Sequence, residues 1–398
     1  MYKPLFIFPS VLRSKSPNGQ LQRNFIQALF QDTYRPIVIC LEGDISVSTL
    51  PPLRYIIIKQ SRFLGIIESC INRLGLMKFF NVPDFFRFSY VKEATRIAKK
   101  ICKEEKIDFV HTISFPSSAH LVGLKLNRLY GIPWIAQFYD PWLNNPHRPV
   151  SKIIKWYDKR LERSVAENAT LLAPDSNLFV EQWVQRYESL VENKIVNLPL
   201  TTSFSEHVEY SKHTDKVIFS HIGNLYKERS SLDFIKAVHS HLQRKPKDRD
   251  RLLINYVGKV PDSEKEMIKK LGIDDVFNLV GIISEDECLK YYSVTDVFIA
   301  IDVNIRENIF FPSKLLRYLY YKKPILGITT EVSVLADELK SAGHSPFLYG
   351  DFKGIENYID QAINNYENLT NFDKSYGEQY SINNVLKYYY SLVDKYLL

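Results

Sequence analysis

Cysteine is scarce in this chain: Cys40, Cys70, Cys102 and Cys288 are the only four in 398 residues, and no C-x-x-C pairing exists. That spacing excludes a disulfide framework and a cysteine zinc site, and buried free thiols are expected, with Cys102 at an apolar helical position. No apolar run approaches the roughly 20 residues needed to cross a bilayer. The first loop after a strand carries a single glycine, Gly19, and a dinucleotide fingerprint needs more, which argues against a dehydrogenase. No basic helix or RNP-type motif occurs, so nucleic acid is not an expected partner. The net charge of +7 and a pI near 8.9 instead favour nucleotides, phosphates or an anionic membrane face. Residues 1–8 lack the apolar core of a signal peptide and read as a strand, giving the expectation of a cytoplasmic protein.

What is present is a repeated alternation of short apolar strands and helices. The length exceeds one ordinary core, and 45% hydrophobic with 24% charged residues is a soluble globular balance. Strands are predicted at 5–8, 36–41, 55–59, 107–112, 132–138, 169–173 and 194–198. Helices are predicted from near Leu21, then over 91–105, up to the terminator Gly131, and over 152–167 and 178–187. The polar segment after Pro199, with Thr201, Thr202, Ser203 and Ser205, reads as a linker. The expected domains are therefore 1–200 and 201–383, with a final Tyr- and Leu-rich helix over 384–398 packing back on the first.

Residues 63–92 mix Phe79, Phe80, Phe85, Phe86 and Phe88 with Arg62, Arg73, Lys78 and Arg87. Interleaved aromatics and cations suit a surface touching anionic lipid, and a helical pair covering a core edge fits equally. Asp140 follows the strand 132–138, at the edge where α/β proteins place ligands. It suits a contact to a substrate hydroxyl or a general base, and equally a turn residue before Pro141. His120 could share that edge or be a structural hydrogen-bonder, and His111 reads as core.

The pattern restarts at residues 217–223, a strand ending in Gly223. A glycine that admits a ligand to the backbone, followed by Lys227 and Arg229 before a helix near Ser231, is an arrangement that can hold a diphosphate. Arg229 is the better bidentate donor, and both cations also fit a solvated surface. Two further strands end at Gly258 and Gly281, and Ser284 to Glu287 forms a capping box. The strand 295–300 feeds an irregular loop, 302–311. Asp248-Arg249-Asp250 reads as solvated charge. A helix over 332–341 follows the strand at Ile325.

Pro312-Ser313-Lys314 opens a helix. Proline suits a first helical turn, and the unpaired N–H groups there attract an anion.

As an ordered set, six stretches resemble the GT-B glycosyltransferases, and family 4 of bacterial surface-polysaccharide synthesis in particular. They are Phe115 to His120, Gly131 to Trp142, Gly223 to Arg229, Gly281 to Tyr292, Thr295 to Phe298, and Pro312 to Pro324. The resemblance implies an α/β fold of two Rossmann-like domains facing a central cleft. It implies a nucleotide-sugar donor on the C-terminal domain and a glycan or lipid-linked acceptor on the N-terminal one. It implies a hexosyltransferase, retaining and metal-independent, with no cofactor, serving capsule or lipopolysaccharide synthesis at the inner membrane face. By this resemblance Asp140, Arg229 and Lys314 are catalytic. Gly19, Gly223, Asn224, Gly258, Gly281, Ile282, Pro312, Ser313 and Arg317 meet the donor, and Ser117, His120 and Trp142 the acceptor.

Two departures stand out. The family usually carries two glutamates separated by seven residues, the second holding the ribose hydroxyls. Here those positions are Ile309 and Arg317, and an arginine accepts no hydrogen bond from a diol. Asn224 stands where many relatives have arginine. A non-catalytic GT-B subunit that binds a partner enzyme, or a sugar-nucleotide 2-epimerase, are the alternatives.

Overall fold

The computed structural model describes residues 2–398 apart from 15, 31–33, 60–61, 81–87, 115, 146–147, 202–209 and 227. The chain forms two compact units. One comprises Met1–Ser203 with Tyr380–Leu398, the other Phe204–Gln379.

The first unit runs β1 (Leu5–Ile7), α1 (Pro17–Phe30), β2 (Ile37–Leu41), β3 (Arg54–Ile58), α2 (Arg62–Arg73), α3 (Met77–Phe80), α4 (Phe88–Glu104), β4 (Val110–Ile113), α5 (Ser118–Tyr130), β5 (Trp134–Phe138), α6 (Lys152–Asn168), β6 (Leu171–Pro174) and α7 (Asn177–Tyr187). Its strands pair in parallel in the order β3-β2-β1-β4-β5-β6. The central strands are buried on both faces, which is why they read as continuous apolar runs.

The second unit runs β7 (Val217–Ile222), α8 (Leu232–Arg244), β8 (Leu252–Val257), α9 (Asp262–Lys270), β9 (Phe277–Gly281), α10 (Glu285–Val294), β10 (Val297–Ile301), β11 (Glu307–Asn308), α11 (Ser313–Tyr320), β12 (Ile325–Thr329), β13 (Val332–Ser333), α12 (Val334–Ser341), β14 (Phe347–Leu348) and α13 (Phe352–Asn364). Its parallel order is β14-β12-β10-β7-β8-β9, the topology of the first sheet again. In each sheet the strand order reverses beside the first strand, the crevice where open α/β sheets bind ligands.

The last helix, α14 (Ile382–Tyr396), belongs to the first unit. Tyr389 packs edge-on against Phe25 of α1, ring centroids 5.0 Å apart, and its hydroxyl lies 3.1 Å from Nδ1 of buried His111. Gln137 holds the other ring nitrogen at 3.0 Å, and burial pushes the His111 pKa down to about 3, so the ring is neutral.

Several sequence expectations are corrected. Helix α1 starts at Pro17, four residues before the expected Leu21, because proline serves at a first helical position. Residues 194–198 contribute only a bridge from Ile195 to Leu172. Val332 and Ser333 pair with Glu307 and Asn308 before α12 begins. Asp248 is not solvated: it is buried, 2.9 Å from His241 Nε2 and 3.1 Å from Arg251. Residues Phe85, Phe86 and Arg87 of the aromatic stretch, Thr202, Ser203 and Ser205 of the linker, Phe115 and Lys227 lie outside the described residues.

Candidate functional site

In the second unit β7, β8 and β9 are parallel neighbours, so Gly223, Gly258 and Gly281 lie along one edge. Their backbones are stitched together: Gly223 N donates to Val257 O and Gly258 N to Gly281 O, each at 2.7 Å. Gly258 adopts φ +125, and a Cβ there would sit 2.7 Å from the carbonyl carbon of Gly223. Only glycine allows that approach. Asn224 completes the junction, its side-chain oxygen accepting from Lys259 N at 2.9 Å. Beside it opens a cavity of about 610 Å³ lined by Tyr226, Gly258, Lys265, Leu279, Gly281 and the exposed Ile282, among others.

The loop after Gly223 is built to present Arg229. Tyr226 and Arg229 exchange backbone hydrogen bonds of 2.7 and 3.2 Å, and the guanidinium lies 5.3 Å from the Tyr226 ring centre. Arg229 Nε is buried without a partner. The end of the loop is tied down by buried Glu264, which accepts from Ser231 N at 2.9 Å and from Ser231 Oγ at 2.7 Å.

Helix α11 enters the same edge. Pro312 offers no capping side chain, so the first amides of α11 keep their donor capacity. Tyr318, one face of the helix, stacks on Phe298 at 4.3 Å and accepts from Ile222 N at 3.0 Å, locking α11 to the end of β7. The Lys314 side chain lies against Gly223, where a Cβ would meet its Cδ, Cε and Nζ at 3.0 Å. The residue as a whole is exposed, yet the protein around it withdraws part of the solvent from its charge. Desolvation there lowers its pKa, with the nearby Arg229 and Arg317 charges acting the same way. Lys314 and Arg229 in turn reinforce the effect of burial on His221, whose pKa falls to about 3. Its Nδ1 donates to Ile299 O at 3.0 Å, and its Nε2 is buried without a partner. Arg317 leans to the other side, 3.0 Å from Glu285 Oε1 and 5.0 Å from the Tyr292 ring centre.

Asp302 was missed in the sequence. It sits at the end of β10, buried, and accepts from Val303 N at 2.9 Å, from Ser333 Oγ at 2.5 Å, from Thr329 Oγ1 at 3.4 Å and from Asn308. Those bonds shape the loop that delivers Pro312. Its partners come from 27 and 31 residues away, and a polar residue closing a buried strand was the only local signal.

In the first unit Asn18 Nδ2 donates to Asp140 Oδ2 at 3.3 Å, so the start of α1 and the end of β5 meet. Gly19 is inside α1, not in the loop: a Cβ would lie 2.5 Å from Ser10 O and 2.7 Å from Arg13 O, so its glycine is explained by backbone packing. Ser117, His120 and Trp142, expected at an acceptor surface, lie inside the unit. His120 is fully buried with Thr112 Oγ1 at 2.7 Å from Nδ1, and Trp142 Nε1 donates to Asp158 Oδ1 at 3.1 Å.

Among the described residues one trio, His241, Asp248 and Asp360, groups atoms fit for a metal. Arg251 on Asp248 and Lys245 on Asp360 already neutralise its carboxylates, which makes it an ion network.

No protein-family model matches the chain, and no curated protein matches its sequence. Its fold is nonetheless widely shared. A glycosyltransferase from Rickettsia africae superposes with a TM-score of 0.71 at 13% identity, covering 100% of this chain and 98% of that one. Anabaena HepE in complex with UDP and glucose gives 0.67 at 12%, covering 99% and 100%. The lipopolysaccharide outer core galactosyltransferase WaaB gives 0.64 at 14%, covering 99% of each chain. The two-unit α/β architecture is thus that of the GT-B glycosyltransferases.

Proposed function

We propose that the chain is a glycosyltransferase that moves a sugar from a nucleotide-sugar donor to a glycan or lipid-linked acceptor in cell-surface polysaccharide synthesis. The observation that carries the reading is the convergence of Arg229, Lys314 and the uncapped start of α11 on the packed glycine edge beside a cavity of about 610 Å³. Two cations and free amides are what a departing diphosphate needs. As the glycosidic bond breaks, negative charge grows on the leaving phosphate. Arg229, Lys314, Ser313 and the helix amides stabilise it without a metal, and retention at the anomeric carbon is expected. Gly223, Gly258, Gly281 and Ile282 then border the nucleoside. Asp140 is assigned to orienting the acceptor hydroxyl or taking its proton. A cytoplasmic position at the inner face of a membrane goes with a lipid-linked acceptor.

Titration calorimetry with UDP-, GDP- and TDP-sugars tests the reading. Arg229→Ala should weaken the binding partner by roughly 10- to 100-fold, the worth of a charge-assisted contact, and slow transfer. Unchanged binding and transfer in that variant would overturn it.

A second reading, a non-catalytic GT-B subunit, is favoured by Arg317, which stands where a ribose-binding acid is expected and is engaged by Glu285. It predicts no nucleotide binding at all.

A further inference from the structure

Helix α6 is amphipathic in an unusual sense. Its inward face buries Asp158 and Glu162 beside Ile154, Val165 and Ala166, while large apolar residues of its first turns stay outside. Asp158 and Glu162 are buried, and each is fully engaged. Asp158 pairs with Arg148 at 2.7 Å, while Glu162 accepts from Arg186 at 2.6 Å, Tyr187 at 2.8 Å and Leu143 N at 3.1 Å. The outward face carries Ile153, 77% exposed, Trp156, 57% exposed, and Tyr157. Around them stand Lys152, Lys155, Lys159 and Arg160, all exposed and without an ion pair among the described residues. Arg160 lies over the Trp156 ring at 4.3 Å.

The face continues beyond α6. Helix α3 packs beside it, with Ser151 N donating to Lys78 O at 2.7 Å. On α3 Phe79 is 51% exposed, with the Lys78 ammonium 5.0 Å from its ring centre. The neighbouring α2 exposes Phe63, at 70%, and Ile66. A solvated helix has no reason to spend isoleucine and tryptophan on water while burying its carboxylates. Large apolar side chains ringed by lysine and arginine are the pattern of a helix lying in a lipid interface.

We propose that the outer faces of α6 and α3, with α2 beside them, dock this chain on an anionic phospholipid bilayer. Ile153, Trp156 and Phe79 enter the boundary between headgroups and acyl chains, and Lys152, Lys155, Lys159 and Arg160 rest on the anionic headgroups. Charge complementarity selects this occupant: a second copy would set four unpaired cations against the same four. The inference deepens the membrane part of the proposed function and does not depend on donor binding.

The four tryptophans supply the readout. Trp134, Trp142 and Trp183 are buried, so a lipid-induced change in emission reports Trp156. The full chain should float with vesicles of mixed phosphatidylcholine and phosphatidylglycerol at low salt, with a blue shift in emission. It should not float with phosphatidylcholine alone, and added salt should release it. Trp156→Phe should keep flotation and lose the shift. Lys155→Glu with Lys159→Glu should weaken partitioning by about tenfold or more, and Ile153→Ser with Trp156→Ser comparably. All of these positions are at the surface, and an unchanged thermal midpoint verifies folding. No flotation and no shift at low salt would overturn the proposal. So would equal flotation of the Ile153→Ser, Trp156→Ser variant, or self-association blocked by that variant in the absence of lipid binding. A chain that floats but binds no nucleotide-sugar would refute the donor reading and leave this one standing.

Discussion

Arg317 Nη2 lies 3.0 Å from Glu285 Oε1, so a cation one turn into α11 is tied to the first residue of α10. The carboxylate is largely exposed, and its ion pair with Arg317 adds little stability. It does, however, set negative charge near Lys314, whose pKa it helps to raise. Glu285→Gln should therefore change folding stability by about 1 kcal/mol or less while tightening nucleoside-diphosphate binding by roughly two- to tenfold. Calorimetry on both proteins checks this. Weaker binding in the variant would mean that Glu285 itself serves the ligand.

Lys314 gives the site a pH dependence. In the free protein desolvation, Arg229 and Arg317 lower its ammonium pKa. A bound diphosphate favours the charged form and raises that pKa again. Binding then takes up a proton, so affinity is full below the lowered pKa and falls as pH rises through it. Lys314→Arg, charged at all these pH values, should flatten the alkaline decline. A wild-type affinity constant from neutral to alkaline pH would refute the role.

Asp302 should matter more for folding than any residue of the cationic edge. Burial raises its carboxyl pKa, and the bonds from Ser333, Val303 and Thr329 hold it down. Asp302→Ala leaves those buried donors unsatisfied and should cost about 2–4 kcal/mol in urea unfolding. It should also weaken donor binding, because the loop leading to Pro312 loses its anchor. A stable variant with intact binding would show that the loop is held elsewhere.

The strands of both sheets were legible because parallel strands buried on two faces must be apolar throughout, as in residues 134–138 and 297–301. The glycine edge was legible because each strand of the trio closes on a glycine. Less visible were features that depend on distant partners. Nothing near Asp302 announces Ser333, and nothing near Asn224 announces Lys259. The helix 152–167 is legible in the sequence, but not that Asp158 and Glu162 lie on its core side. Periodicity identifies faces, and the usual inference puts the apolar face inward. Here Ile154, Val165 and Ala166 do face inward, but Arg148 and Arg186, from elsewhere in the unit, satisfy two acids on that same face, while Ile153 and Trp156 stay outside. The burial of Trp142 goes with those inward acids, since its indole N–H donates to Asp158.

Its inward placement makes Asp158 important to the stability of the first unit. Its carboxylate is the buried partner of both Arg148 and Trp142. Asp158→Ala strands a buried guanidinium and an indole N–H, and should cost about 3–5 kcal/mol. Asp158→Asn keeps an oxygen for one donor and should fall between Ala and wild type. Replacing exposed Lys159, the next residue, by Ala should stay within about 0.5 kcal/mol. Urea unfolding of the three variants, followed by circular dichroism, reads the order directly. If Asp158→Ala unfolded no more easily than Lys159→Ala, the buried pair with Arg148 would not be contributing to how α6 is held against the unit.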